Sequence, residues 1–379
     1  MPENIRTLDI EILDDLPSGL VTKAVDFFHQ DYPSDSKKEM GTDFFLSKIV
    51  QSNPNGHGYF TVATYEGRVV GTCTAVRKTL ISDNIIINAV EIGDTFTGKA
   101  FRKSCYFSKL YPGTTSRDEY LNKSIFGRLA TETLDRARAD GVEYVYGTPN
   151  LQAKLSWLGR MKFKLVDGNF TYRISAASRK HSLYNSSKFL KVLATIYTKI
   201  SFLFCLFSTR KYSMSLISRT EFNEMPDTPS KPSIKGDIQL VNTHSWINFR
   251  FINNIDKKYK VVKIQKRGHN HLCGYLFFLE QERGDGFKLM ILSKDLLYCK
   301  QLERLKIPIS RISSEKFFKY ENLSIWVDSR RNSLRFRFLF GFLSKKIKVD
   351  IVGKSLTEES TWLESRNFYN FQYGDSDLG

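Results

Sequence analysis

The sequence is short of the features that would name a chemistry at once. Its five cysteines, Cys73, Cys105, Cys205, Cys273 and Cys299, are scattered, odd in number and without a CxxC pair. That argues against a disulfide framework or a zinc site and fits a reducing cytoplasm. The opening residues, MPENIRTLDIEIL, lack the charged-then-apolar pattern of a secretory signal. There is no nucleotide P-loop, no dinucleotide fingerprint and no Ser–His–Asp ordering. His269-x-His271 has no carboxylate at ligand spacing and reads as a solvated loop, so no metal is expected. Acidic residues fall short in one half only. Residues 1–175 carry 22 basic against 21 acidic residues, whereas residues 176–379 carry 35 against 19. The two halves therefore face different electrostatic partners.

What is present is the composition of a globular protein, 41% hydrophobic and 26% charged over 379 residues, which is comfortable for two domains. The boundaries expected are 1–175, a helical connector and linker at 176–235, and 236–379. The clearest unit is Glu91–Asn150. EIGDTF reads as a strand, KSIFGRLATETLDRARADG as an amphipathic helix and VEYVYGTPN as a second strand ending in a turn. Phe126, Leu129, Ala130, Thr133, Leu134 and Ala137 form one apolar stripe on that helix, and Gly141 is placed to stop it. Glu132 and Arg136 stand at i, i+4 on the exposed side.

Before this unit, Arg6–Leu13 reads as a strand. Asp15-Leu16-Pro17 starts a helix that carries Leu20, Ala24, Phe27 and Phe28 inward, and a short helix is expected near Asp43–Gln51. Tyr59–Tyr65 and Arg68–Lys78 read as strands joined at Glu66-Gly67. In the strand Ile85–Phe96, simple alternation sends Glu91 and Asp94 to opposite faces, and a bulge at Gly93 would bring them to one side. Thr97–Tyr120 is a long polar insert of the kind that carries function. After Ser175, the stretch Phe189–Phe207 has 14 apolar residues of 19, with Lys191, Thr195, Thr198 and Lys199 on one polar stripe. It suits a packing helix between domains, an interfacial membrane helix or, barely, a spanning one. Trp246, Phe249 and Phe251 fall on a helix, followed by strands Tyr259–Gln265 and Leu272–Gln281. Arg330, Arg331, Arg335 and Arg337 cluster around a further strand.

EIGDTFT, KSIFGRL and YGTPN, in that order and after the hairpin YFTVATYEGRVVGTCTAV, resemble the acyl-CoA-binding core of the GNAT superfamily of N-acyltransferases. The similarity is greatest to a two-domain subgroup associated with bacterial surface-polysaccharide synthesis. It implies an α/β (α+β) fold, a mixed twisted sheet flanked by helices, and a second, diverged GNAT-like domain. The resemblance implies transfer of an acetyl group from acetyl-CoA to an amine. The acceptor would be an amine-bearing small molecule or a carrier-linked amino sugar. It offers Glu91, with Asp94 as alternative, for the base, and Phe96 and Thr97 for backbone pairing with the pantetheine arm. The family's pyrophosphate signature falls on Lys123, Ser124, Ile125, Phe126, Gly127 and Arg128, with Ser124 and Phe126 where the family has glycine. A second alignment uses Arg102–Phe107. Asn150 falls where the family has an Asn that touches the cofactor arm. Where relatives have a Tyr as general acid on the following helix, this chain has Ser156, Trp157 and Leu158, so the acid is unassigned, with Tyr146 as the stand-in. A tRNA-dependent aminoacyl ligase and a non-catalytic binding module are the rival readings, with nucleic acid the less favoured partner. The basic second half beside Phe189–Phe207 adds an expected peripheral contact with an anionic membrane surface, at the inner face of the membrane.

Overall fold

In the computed structural model, the described residues are 9–13, 18–31, 42, 49, 53–102, 124–174, 188–189, 192, 196, 212–223, 236–241, 243–253, 259–268, 272–280, 287–292, 323–328 and 345–368. Along the chain run β1 (Asp9–Leu13), α1 (Ser18–Asp31), β2 (Tyr59–Tyr65), β3 (Arg68–Ser82), β4 (Ile85–Thr97), α2 (Ile125–Ala139), β5 (Tyr144–Gly147), α3 (Leu151–Gly159) and β6 (Lys164–Ile174). Then come β7 (Tyr212–Ile217), β8 (Asp237–Leu240), β9 (Tyr259–Lys266), β10 (Leu272–Glu280), β11 (Phe287–Leu292), β12 (Leu323–Asp328), β13 (Lys345–Ser355) and β14 (Asn367–Phe368). They fall into two units. Unit 1 takes Met1–Val166, Lys235–Val241 and Ile351–Asn367; unit 2 takes Asp167–Ile234, Asn242–Asp350 and Phe368–Gly379.

In unit 1, β1 to β4 pair antiparallel in sequence order, and β5 joins β4 in parallel. The C-terminal β13 then lies antiparallel beside β5, from Val352 opposite Gly147 to Ser355 opposite Tyr144. The hairpin between β2 and β3 turns on Glu66 and Gly67, both at positive φ (51° and 74°), the conformation a two-residue turn with the right twist demands. The sheet is covered on both faces. One face packs on α2, through Tyr59, Ala63, Cys73, Ala75, Val90 and Val145 against Ile125, Leu129, Ala130, Leu134 and Ala137. The other takes α1, through Phe60, Val62 and Phe96 against Val21, Ala24, Val25, Phe27 and Phe28, with Leu20 partly buried beside them.

Helix α2 is built as its sequence requires. Ser124 caps it, its hydroxyl accepting the Gly127 N–H at 3.0 Å. Gly141 leaves it at φ 73°. Arg136 pairs with Asp140 at 3.3 Å on the exposed side. The helix reaches β3 closely because residue 71 is glycine. A Cβ there would stand 2.7 Å from the Ile125 Cγ2 atom and 2.9 Å from the Leu129 Cδ1 atom.

Unit 2 repeats the plan. β7, β9, β10 and β11 pair antiparallel in that order, β12 joins β11 in parallel, and residues 170–174 of β6 lie antiparallel beside β12. Trp246 is buried on the short helix His244–Ile247, which continues as a wider turn through Asn248–Ile252. The unit's core is Phe222, Phe251, Ile252, Val261, Tyr275 and Phe277. Each unit thus takes its sixth strand from the other half of the sequence.

Several expectations lie outside the described residues: the short helix near Asp43–Gln51 apart from Ile49, the insert beyond Arg102, Lys123, His269 and His271, and the Arg330–Arg337 cluster. Of Phe189–Phe207, only Phe189, Val192 and Ile196 are described; they are helical and 71%, 55% and 47% exposed. Among the described residues no helix is long and apolar enough to cross a membrane, and no group of His, Cys, Asp and Glu could hold a metal ion.

Candidate functional site

β4 and β5 run side by side only from Ala89 opposite Tyr144 to Ile92 opposite Gly147. β4 then continues to Thr97, while β5 has ended. Beyond Ile92, no strand among the described residues pairs with that edge of β4. In the same place β4 bulges. Thr74 opposes Gly93, but Thr72 opposes Phe96, so Cys73 faces two residues, Asp94 and Thr95. Asp94 takes φ 41°, in the left-handed region that a non-glycine residue enters only when held there. Two threonines of β3 hold it. The Thr72 hydroxyl donates to the Asp94 carbonyl at 3.0 Å, and the Thr74 hydroxyl donates to Oδ2 of Asp94 at 3.4 Å. The bulge therefore sits at Asp94–Thr95, one residue past Gly93.

The extra residue changes which side chains share a face. Glu91 aligns with Val76 on β3 and with Tyr146 on β5. Lys78, two residues past Val76, shares that face, and its ammonium meets Oε2 of Glu91 at 3.3 Å, with both side chains 1% exposed. Asp94 comes to the same face through its bond to Thr74, and it is half-buried. Glu91 and Asp94, which strict alternation would separate, thus stand on one side of the sheet with Tyr146. Tyr146 is fully buried, as is Tyr144, whose hydroxyl burial pushes well above the ordinary phenol value, Glu364 adding to the effect. On the opposite face Cys73 lies under α2, and burial pushes its thiol up to about 11. A thiol so placed is protonated near neutral pH and is no nucleophile.

The residues expected to hold a cofactor divide. Phe96 gives its ring to the core, against Phe27 at 5.4 Å and Phe28 at 6.0 Å, with the Arg102 guanidinium 5.3 Å from its centroid. Thr97 closes β4, and its carbonyl accepts from Arg102 Nε at 3.1 Å. What these two can offer a ligand is backbone. Ile125 and Gly127 are buried in the contact of α2 with the sheet, and Phe126 packs edge-on against Trp157 at 5.2 Å. Ser124 spends its hydroxyl on Gly127, while the N–H groups of Ile125 and Phe126, in the first turn, have no partner within the helix. Arg128 is half-buried in the first turn. Asn150 caps α3, its side-chain oxygen accepting the Ala153 N–H at 2.9 Å, so its amide nitrogen is the group left over.

The sequence reading missed three residues of this site: Thr72, Thr74 and Lys78. Only Lys78 left a signal. It interrupts the inward-facing run Val76, Lys78, Leu80, where a lysine needs a buried partner.

No family model matches the chain, and no curated protein matches it. Solved structures do. A GCN5-related N-acetyltransferase from Anabaena variabilis aligns over 92% of this chain and 73% of its own, with TM-score 0.52 and 10% identity. The tandem GNAT protein of the clavulanic acid biosynthesis pathway aligns over 93% and 99%, with TM-score 0.52 and 10% identity. Saccharomyces cerevisiae N-myristoyltransferase, solved with bound myristoyl-CoA, aligns over 93% and 84%, with TM-score 0.55 and 11% identity. At such identities what is shared is the fold. That fold is the mixed, twisted GNAT sheet flanked by helices. In this chain it occurs twice, with the parted β4–β5 pair in the first copy and a diverged second copy after it.

Proposed function

We propose that unit 1 transfers an acyl group, acetyl in the first instance, from acyl-CoA to an amine. The observation that carries this reading is the parting of β4 from β5 after Ile92, beside a bulge that presents a carboxylate. Backbone along the parted edge suits an extended pantetheine arm and can polarise a thioester carbonyl. Ile125, Phe126 and Arg128 at the start of α2, with Lys123, would meet the pyrophosphate, and the Asn150 amide the arm. As base we favour Asp94 over Glu91. Asp94 is only half-buried at the bulge, whereas Glu91 is closed from solvent and tied to Lys78. The acceptor we propose is an amino sugar of a surface-polysaccharide precursor, which rests on the subgroup resemblance alone. An anionic membrane surface is the proposed docking partner.

One observation favours a second reading, a non-catalytic GNAT-like binding module. Ser124 caps its own helix and Phe126 packs on Trp157, where the family's glycines would admit phosphate. Calorimetry separates the two. Acetyl-CoA should bind at micromolar to sub-millimolar levels, on the order of 4–8 kcal/mol. Asp94→Asn should keep that affinity and lower turnover roughly 10²–10⁴-fold. No heat at millimolar acetyl-CoA would favour the non-catalytic reading.

A further inference from the structure

Lys78 and Glu91 form an ion pair closed from solvent, with 1% exposure on each side. Such a pair is a poor stabiliser, because desolvating two charges offsets their attraction, and apolar residues of equal volume often do as well. Its position suggests another use. Glu91 stands one residue before the last β4–β5 pair, and Asp94 follows just past the bulge on the same face. Among the described residues, the ionisable groups that the register places on that face are Lys78 from β3, Glu91 and Asp94 from β4, Tyr144 and Tyr146 from β5 and, farther along, Glu11 from β1 opposite Val62, while the charge of Asp94 also reaches the Cys73 thiol. From α1, the apolar Val21, Ala24, Val25, Phe27 and Phe28 pack on this side of the sheet, and the titratable His29, next to Phe28, is half-buried. Two uncompensated carboxylates so close in sequence and on one face would titrate as a pair, one of them holding a proton that a base must not hold.

We infer that Lys78 is a positioning residue. It compensates Glu91 and ties β4 to β3 where β5 leaves, so that Asp94 alone takes the proton of the attacking amine. This rests on the acyl-transfer reading above. In the step, the ammonium gives one proton to Asp94 and its nitrogen adds to the thioester carbon. The C–S bond breaks with its electron pair on sulfur. The second proton lost from nitrogen goes to the departing thiolate, and Asp94 returns its proton to solvent.

The test follows CoA thiol release from acetyl-CoA between about pH 5 and 9, with a panel of amino sugars that includes glucosamine as acceptors. Calorimetry of acetyl-CoA runs beside it for each variant. Lys78→Met should lower kcat without changing acetyl-CoA affinity. It should also add a second, higher ionisation to the kcat/KM profile, because an unpaired buried carboxylate titrates upward. Lys78→Arg should restore the single limb. The double variant Lys78→Met with Glu91→Met removes both charges together and so guards against misfolding. It should lose no more than about tenfold in kcat and keep the wild-type acid limb, against the 10²–10⁴-fold loss expected of Asp94→Asn. A double variant as impaired as Asp94→Asn, or a Lys78→Met profile identical to wild type, overturns the inference while leaving acyl transfer standing. Wild-type protein that binds acetyl-CoA but acetylates no amine of the panel overturns the acceptor class and this inference with it. Protein that binds no acetyl-CoA overturns the acyl-transfer reading itself.

Discussion

Asp94 is held in a conformation that costs of order 1–3 kcal/mol for most side chains, and the two hydroxyls of Thr72 and Thr74 hold it there. In the acyl-transfer proposal, this strain fixes the direction of the carboxylate that serves as base. A second carboxylate of unit 1 works differently. Glu364 meets the Lys164 ammonium at 2.6 Å and accepts the Ser355 N–H at 3.0 Å. Partial burial pushes its carboxyl up, but the Lys164 and Ser355 bonds and the charges of Lys164 and Lys354 outweigh it and hold the carboxyl below its ordinary value. A folded-state pKa below the unfolded one adds stability above the unfolded value, about 4.3 for Glu. That stability is lost as pH falls through the depressed folded value. Glu364→Gln should therefore lower stability by about 1 kcal/mol at pH 7. The gap should close in strong acid, read as denaturant midpoints of the two proteins at pH 7 and below pH 4.

α2 shows how local signals and a distant contact combine. Its cap, its stripe and its stop are all in its own sequence, and a Ser cap contributes about 1 kcal/mol. Its seat on the sheet is not. That depends on Gly71 of β3, where a side chain would meet Ile125 and Leu129. Gly71→Val should destabilise unit 1 by roughly 1–3 kcal/mol through overpacking. Leu129→Ala should cost less on that background than in the unaltered chain, a partial recovery that thermal or urea melts of the two single variants and the double variant would reveal. Without that recovery, the cost would belong to β3 itself and not to its contact with the helix.

At the scale of the whole molecule, the exchanged sixth strands make each unit depend on the other half of the chain. Unit 1 needs Ile351–Ser355 beside β5, and unit 2 needs residues 170–174 beside β12. A chain cut before Lys345 would leave β5 with a bare edge, which in a buried sheet exposes hydrogen-bonding groups and invites aggregation. Such a fragment should be insoluble or lose its cooperative melt, although it carries the whole of the expected 1–175 domain. Charge is the other property of the whole. The excess of basic residues in 176–379 accompanies Phe189, Val192 and Ile196, which are helical, exposed and spaced to share one helical face. Each Lys or Arg near an anionic bilayer contributes about 1 kcal/mol, screened by salt. The protein should float with anionic vesicles at low salt and not at high salt, and neutral vesicles should not carry it. A protein that stays out of every vesicle fraction would end the docking proposal.

The sequence by itself determined the elements whose causes are local. Strands β2 and β3 with their Glu66-Gly67 turn, the apolar stripe and glycine stop of α2, and the strand–helix–strand order were all readable, because propensity, period and turn chemistry act over a few residues. The GNAT-like character of the first half followed from that order. Tertiary structure decided the rest. Only register could set the bulge at Asp94–Thr95, since the one unmatched residue is defined by what stands across on β3. Only packing could bring Lys78 to Glu91, residues on neighbouring strands whose pairing depends on that same register. And only the fold could carry Ile351–Ser355 to the edge of β5, more than half the chain away, where the hydrogen bonds of an open strand required a partner that nothing nearby in sequence supplies.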